Sequence, residues 1–126
     1  MSRCLVLAQC LHPSPTVDPR LAELNFGAWE GKPWDAVPRD ELDAWAADVA
    51  GYAPPGGESP RDLQQRALAF VASLNVPEAV LVTHGGVIRT LLAHWRGLPP
   101  ARWCEIQVGW CECVSVDLGA HSGSNV

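Results

Sequence analysis

The chain has 126 residues, enough for one domain that buries about two-thirds of its unfolded surface in a single core. Its net charge is −5, and its nine basic residues are scattered, which argues against a nucleic-acid partner because no basic stripe forms. No apolar run approaches the ~20 residues of a membrane span.

Residues 2–11 open with a weak helical stripe of Leu5, Ala8 and Leu11, with Cys4 beside it. His12-Pro13-Ser14-Pro15 ends it, since proline removes N–H donors and restricts the residue before it. The stripe has no N-cap or lead-in loop, and Gln9, Cys10 and His12-Pro13 offer no leader-peptide cleavage site. Residues 16–24 read as a short extended piece, irregular or at an edge because of Pro19. Residues 25–34 gather two glycines and two tryptophans, the composition of a segment folded over a site or of a tightly packed surface loop.

A helix is expected over 38–50, with Leu42, Trp45, Ala46 and Val49 on one face and Gly51 at C′. Residues 52–58 form a connector that reads as a lid or as a plain loop. A stronger helix follows, with Ser59 as its cap, Pro60 in the first turn, Asp62 completing a capping box, and Leu63, Ala67, Phe70, Val71 and Leu74 as its core face. Asn75-Val-Pro77 stops it. Residues 79–82 are an apolar, β-branched run, the pattern of a strand buried in a parallel sheet. Across Thr83-His84-Gly85-Gly86 the period becomes helical, carried by Val87, Ile88, Leu91, Leu92 and Trp95. After a break at Gly97-Leu-Pro-Pro100, two alternating segments, 106–110 and 114–118, read as strands bent near Gly109. Residues 119–126 read as a frayed tail. Strand and helix signals alternate as in an α/β fold with a parallel, helix-flanked sheet.

Five cysteines are present, Cys4, Cys10, Cys104, Cys111 and Cys113, at spacings unlike a disulfide framework or a zinc motif. Cys111-x-Cys113 reads as two reduced thiols on one strand face, and a reducing cytoplasm follows as the expected compartment.

The strand-to-helix switch puts His84 at the carboxyl edge of a strand, where ligands of α/β sheets bind. The N–H groups and dipole of the helix opening at Gly85 suit an oxyanion there. The plain alternative is a histidine that caps the helix or holds a loop carbonyl. Arg3, Glu23 and His84, if they converged, would supply a guanidinium that grips two phosphate oxygens, a carboxyl group that protonates a leaving alkoxide, and an imidazole that binds the anion. Spacing alone leaves convergence open.

Asp18-Pro-Arg-Leu-Ala-Glu-Leu-Asn-Phe-Gly-Ala-Trp-Glu-Gly-Lys-Pro-Trp34, Pro55-Gly-Gly-Glu-Ser59 and Val82-Thr-His-Gly-Gly-Val-Ile-Arg89 together closely resemble the histidine phosphatase superfamily, the phosphoglycerate mutase-like phosphatases. The branch they look most like is α-ribazole phosphatase of cobalamin synthesis, over about residues 2–118. The resemblance implies a three-layer α/β fold with a mostly parallel sheet flanked by helices. It also implies metal-free and cofactor-free hydrolysis of a small phosphorylated metabolite, in which a histidine of an Arg-His-Gly motif carries the phosphoryl group. Carried over by motif, Glu23 resembles the proton-donating acid and His84 the second histidine, while Arg3 and Gly85 resemble phosphate-binding groups.

The 126 residues contain no Arg-His-Gly. The resemblance therefore implies a partial domain over 1–118 that lacks the first strand and the elements following it, either a fragment of a longer reading frame or a chain completed by an oligomer or strand-supplying partner. His94, ten residues past His84 on one helix, lies about 15 Å along its axis and cannot share a phosphorus with it. His12 and His121 read as solvated surface groups. A non-catalytic anion binder and a decayed remnant stand as the other readings.

Overall fold

The computed structural model describes residues 2–109 and 112–117, with side chains from Cys4 onward. Among the described residues four α-helices, α1 (Ser2–Leu11), α2 (Arg39–Ala47), α3 (Pro60–Ser73) and α4 (Gly85–Trp95), are joined by loops and 3-10 turns. α4 is apolar on two sides, and both are used. Val87 and Leu91, one helical turn apart, pack on Leu63 and Ala67 of α3. Leu92 and Ala93 meet Trp103, Ile106 and Ala50. The two core clusters share α4, and Trp95 touches both.

α3 begins as expected. The Ser59 hydroxyl accepts the Asp62 N–H at 3.1 Å and the Asp62 carboxylate accepts the Ser59 N–H at 3.0 Å, which satisfies two donors the first turn leaves open, with Pro60 in the position where a missing N–H is harmless. Leu63 and Ala67 of its expected core face are buried.

Three expectations are corrected. The helix expected over 38–50 ends at Ala47, where Asp48 turns out of helical geometry at φ −153° and accepts the Gly51 N–H on its carboxylate at 3.1 Å. An acidic side chain closes this region, and Gly51 is not the left-handed C′ residue. The extended piece expected over 16–24 holds a 3-10 turn, Pro19–Leu21, whose first N–H groups are taken by Asp18 through its side chain and its carbonyl. Proline's fixed φ starts a turn here as readily as it limits a strand.

The third correction concerns strands. Among the described residues none is in a ladder, so residues 79–82 and the described parts of 106–110 and 114–118 are irregular chain. A β-branched run becomes a strand only when a neighbour supplies ladder partners. Instead the Thr83 hydroxyl donates to the Leu21 carbonyl at 2.6 Å, Arg89 Nε donates to the Ile106 carbonyl at 2.9 Å, and Val80 is 82% exposed. Trp110, Cys111, Leu118 and the 119–126 tail lie outside the described residues. No helix among the described residues is long and apolar enough to cross a membrane.

The connector over 52–58 is tied down. Ala28 N–H donates to the Pro55 carbonyl at 2.8 Å and Glu58 N–H to the Asn25 carbonyl at 2.9 Å. Beside it, buried Trp29 stacks near Tyr52 and Trp34, with ring centroids 5.5 and 6.0 Å away, and its indole N–H donates to Glu41 Oε1 at 2.8 Å. The aromatic segment is thus a packed loop anchored to α2.

Candidate functional site

His84 is the N-cap residue of α4, in extended geometry at φ −88° and ψ 157°, and its carbonyl accepts the Ile88 N–H at 3.1 Å. Its ring makes no capping bond to the helix. The ring instead reaches α1, where Cys4 Sγ lies 3.6 Å from Nε2. Gly85, the first residue of α4, faces open space on the side where a side chain would stand. The opening turn carries the positive end of the helix dipole, with room beside Gly85.

Glu23 arrives at the same turn from the other direction. Its Oε2 accepts the Gly86 N–H in a long bond of 3.4 Å, while Oε1 accepts the Leu24 N–H at 2.9 Å. A Cβ on residue 86 would collide with this carboxylate, so the absence of a side chain at Gly86 is what admits it. The side chain of Arg3 lies outside the described residues, although its backbone is in the first turn of α1, one residue before Cys4. The structure therefore brings together Glu23, His84 and the Gly85-Gly86 turn.

What holds Glu23 there is a clamp the sequence reading did not single out. Arg66 on α3 donates to the Arg20 carbonyl at 2.8 Å and to the Glu23 carbonyl at 3.1 Å. It also pairs with Glu58 at 2.6 Å, and Glu58 Oε1 accepts the Asn25 N–H at 3.0 Å. Partial burial works to raise the Glu58 carboxyl's pKa, but the hydrogen bonds from Arg66 and Asn25 outweigh it and hold the group below its ordinary value. Arg20 is fixed in turn by Asp18 at 2.8 Å and lies over the Phe70 ring, 5.3 Å from its centroid. Glu58 stood within the quoted Pro55–Ser59 motif, but Arg66 gives no local signal, being one polar residue on an amphipathic helix. Cys4 likewise read only as a neighbour of the α1 stripe.

Among the described residues no three His, Cys, Asp or Glu side chains are grouped to hold a metal ion. The arrangement itself offers an imidazole and a carboxylate beside the opening turn of α4, groups that bind an anion and exchange a proton beside it.

The sequence profile of the histidine phosphatase superfamily, branch 1, matches residues 1–125. The chain belongs to the histidine phosphatase superfamily. A glucosyl-3-phosphoglycerate phosphatase from Mycolicibacterium vanbaalenii is 36% identical over 121 residues, covering 85% of this chain and 53% of that protein. A probable phosphoglycerate mutase from Yersinia enterocolitica is 31% identical over 120 residues, covering 89% and 55%. The crystal structure of phosphoglycerate mutase from Thermus thermophilus aligns with a TM-score of 0.58 at 40% identity, covering 71% of this chain and 52% of that one. The chain spans about half the length of these relatives. Membership of the histidine phosphatase superfamily and likeness to that structure place it in the α/β class.

Proposed function

We propose that this chain forms the phosphate-binding and proton-donating side of a phosphomonoester hydrolase site, with His84 and the Gly85 N–H binding the phosphoryl group and Glu23 protonating the leaving alkoxide. Arg3 adds a guanidinium to the same anion in this reading. The observation that carries it is the meeting of Glu23 with the first turn of α4 across 63 positions, beside an imidazole that does not cap its own helix. A carboxyl group beside the N-terminus of an anion-binding helix is where the acid of a metal-free phosphatase is needed.

The substrate is a small phosphorylated metabolite. α-Ribazole 5′-phosphate is one candidate, from the Asn-Phe-Gly-Ala-Trp-Glu-Gly segment over 25–31; glucosyl-3-phosphoglycerate, named for a relative, is another. The cytoplasm suits the unpaired cysteines. Val80, 82% exposed, would in this reading join a parallel sheet once a neighbouring strand is supplied, by the same polypeptide, a second copy or another partner.

Turnover needs an attacking group, and the family's Arg-His-Gly is absent from the 126 residues. That favours a second reading, in which this chain by itself binds anions without turning them over.

Titrating the chain with inorganic phosphate by calorimetry, beside an assay of p-nitrophenyl phosphate, tests both. Saturable phosphate binding that is lost in His84→Ala supports the site. No binding overturns it. Hydrolysis that His84→Ala abolishes overturns the anion-binder reading, and binding without hydrolysis supports it for this chain.

A further inference from the structure

We propose that Cys4 is a reactive thiol, paired with His84 as its base, and that it takes small carbon electrophiles and low-molecular-weight disulfides. Cys4 Sγ and His84 Nε2 lie 3.6 Å apart, within hydrogen-bonding range for sulfur, although the residues are 80 positions apart in sequence. They belong to two elements, the first turn of α1 and the cap of α4. A nucleophile and a base brought into contact by separate elements is the arrangement that activates a thiol. A second observation concerns access. Cys4 is half-buried and lines a groove that α1 forms with Pro15, Val17 and Leu21, a small opening beside the residue.

Exposure alone ranks the thiols the other way. Cys10, Cys104 and Cys113 are all exposed, and among the described residues none of them hydrogen-bonds a histidine. If access governed reactivity, Cys4 would react last of these four.

With iodoacetamide, the sulfur attacks the methylene carbon, the sulfur–carbon bond forms as the carbon–iodine bond breaks, iodide leaves, and the thiol proton passes to His84 Nε2. With a disulfide as oxidant, the sulfur attacks one of its sulfur atoms, a mixed disulfide forms as the original bond breaks, and the proton held on His84 passes to the departing thiolate. The pair shares His84 with the proposed phosphate site, but its reaction needs no phosphorylated substrate.

The experiment is brief treatment of the full chain with limiting iodoacetamide, quenching, and peptide mapping of all five cysteines. Cys4 is expected to be carbamidomethylated about ten-fold faster than Cys10, Cys104 and Cys113. His84→Asn is expected to remove that lead and leave the other three rates unchanged. The same mapping on wild-type chain unfolded in urea keeps the test independent of how His84→Asn folds, because the lead must vanish there too. Exposed cysteines reacting first, a Cys4 rate indifferent to His84→Asn in a folded variant, or a lead that persists in urea would each overturn the proposal. Phosphate binding is measured separately, and its failure leaves this result untouched.

Discussion

The Glu23 carboxylate occupies the space that a side chain on Gly86 would fill, and it accepts that residue's N–H at 3.4 Å. A bond this long contributes little to folding, and the carboxylate is the free end of an exposed side chain. The relationship therefore concerns placement of a charge more than stability.

Gly86→Ala separates the two. Alanine is the better helix residue by up to about 1 kcal/mol, and the new Cβ displaces a flexible carboxylate rather than backbone. The melting temperature should stay level or rise by a few degrees, while Glu23 leaves the turn. A thermal melt checks the first part, and the Glu23 side-chain carboxyl carbon shift, by NMR, the second. A loss above about 1 kcal/mol would make the contact a structural one.

The Arg66–Glu58 pair should set the acid limb of the stability curve. Glu58 is held below its ordinary value of 4.5 in the folded chain, so its contribution is complete above that value and is lost as pH falls through the lower folded one. Both side chains are about one-fifth exposed, and Arg66 also holds two carbonyls, so Arg66→Ala should cost roughly 3 kcal/mol at neutral pH. Glu58→Gln should flatten the decline below pH 4.5. Urea melts between pH 3 and 7 check both, and an unchanged acid limb in Glu58→Gln would contradict the assignment.

Elements held by local rules were legible in the sequence. Ser59, Pro60 and Asp62 state a helix start within four residues, and the Val87–Leu91 spacing states a core face. His84 was placed at the head of α4 because the period changes there. Elements held by distant partners were not. Residues 79–82 read as a strand from composition, yet a ladder depends on what lies alongside, and the next residue, Thr83, donates to the distant Leu21 carbonyl. Arg66 was invisible for the same reason, since its bonding partners at residues 20 and 23 lie more than 40 positions away. The convergence of Glu23 on α4 rests on a glycine whose role is to be small.

Thr83→Val should loosen the segment that carries Glu23. The hydroxyl donates to the Leu21 carbonyl at 2.6 Å, and valine keeps the shape while leaving that carbonyl without its donor. A loss of about 1–2 kcal/mol is expected, with faster amide exchange at residues 21–24 than elsewhere. Thr83→Ser retains the donor and should recover most of the stability. Equal losses in the two variants would assign the effect to the methyl group instead.

Gly27 and Gly31 form a matched pair for measuring what close backbone approach is worth. Both sit at positive φ, +55° and +74°, so replacing either with alanine incurs the left-handed penalty, about 1 kcal/mol. Gly31 has open space where a Cβ would stand, whereas at Gly27 the Cβ would run into the Pro55 carbonyl and the Gly57 N–H. Those are backbone atoms, fixed by the Ala28–Pro55 and Glu58–Asn25 hydrogen bonds, and they cannot rotate aside. Gly31→Ala should cost about 1 kcal/mol, and Gly27→Ala about 3 kcal/mol or more as residues 25–29 detach from 54–58. The difference between the two in urea denaturation isolates the steric part. Near-equal values would mean that the two loops are not held against each other in solution, and the aromatic segment over Trp29 would then be free to move relative to Glu23.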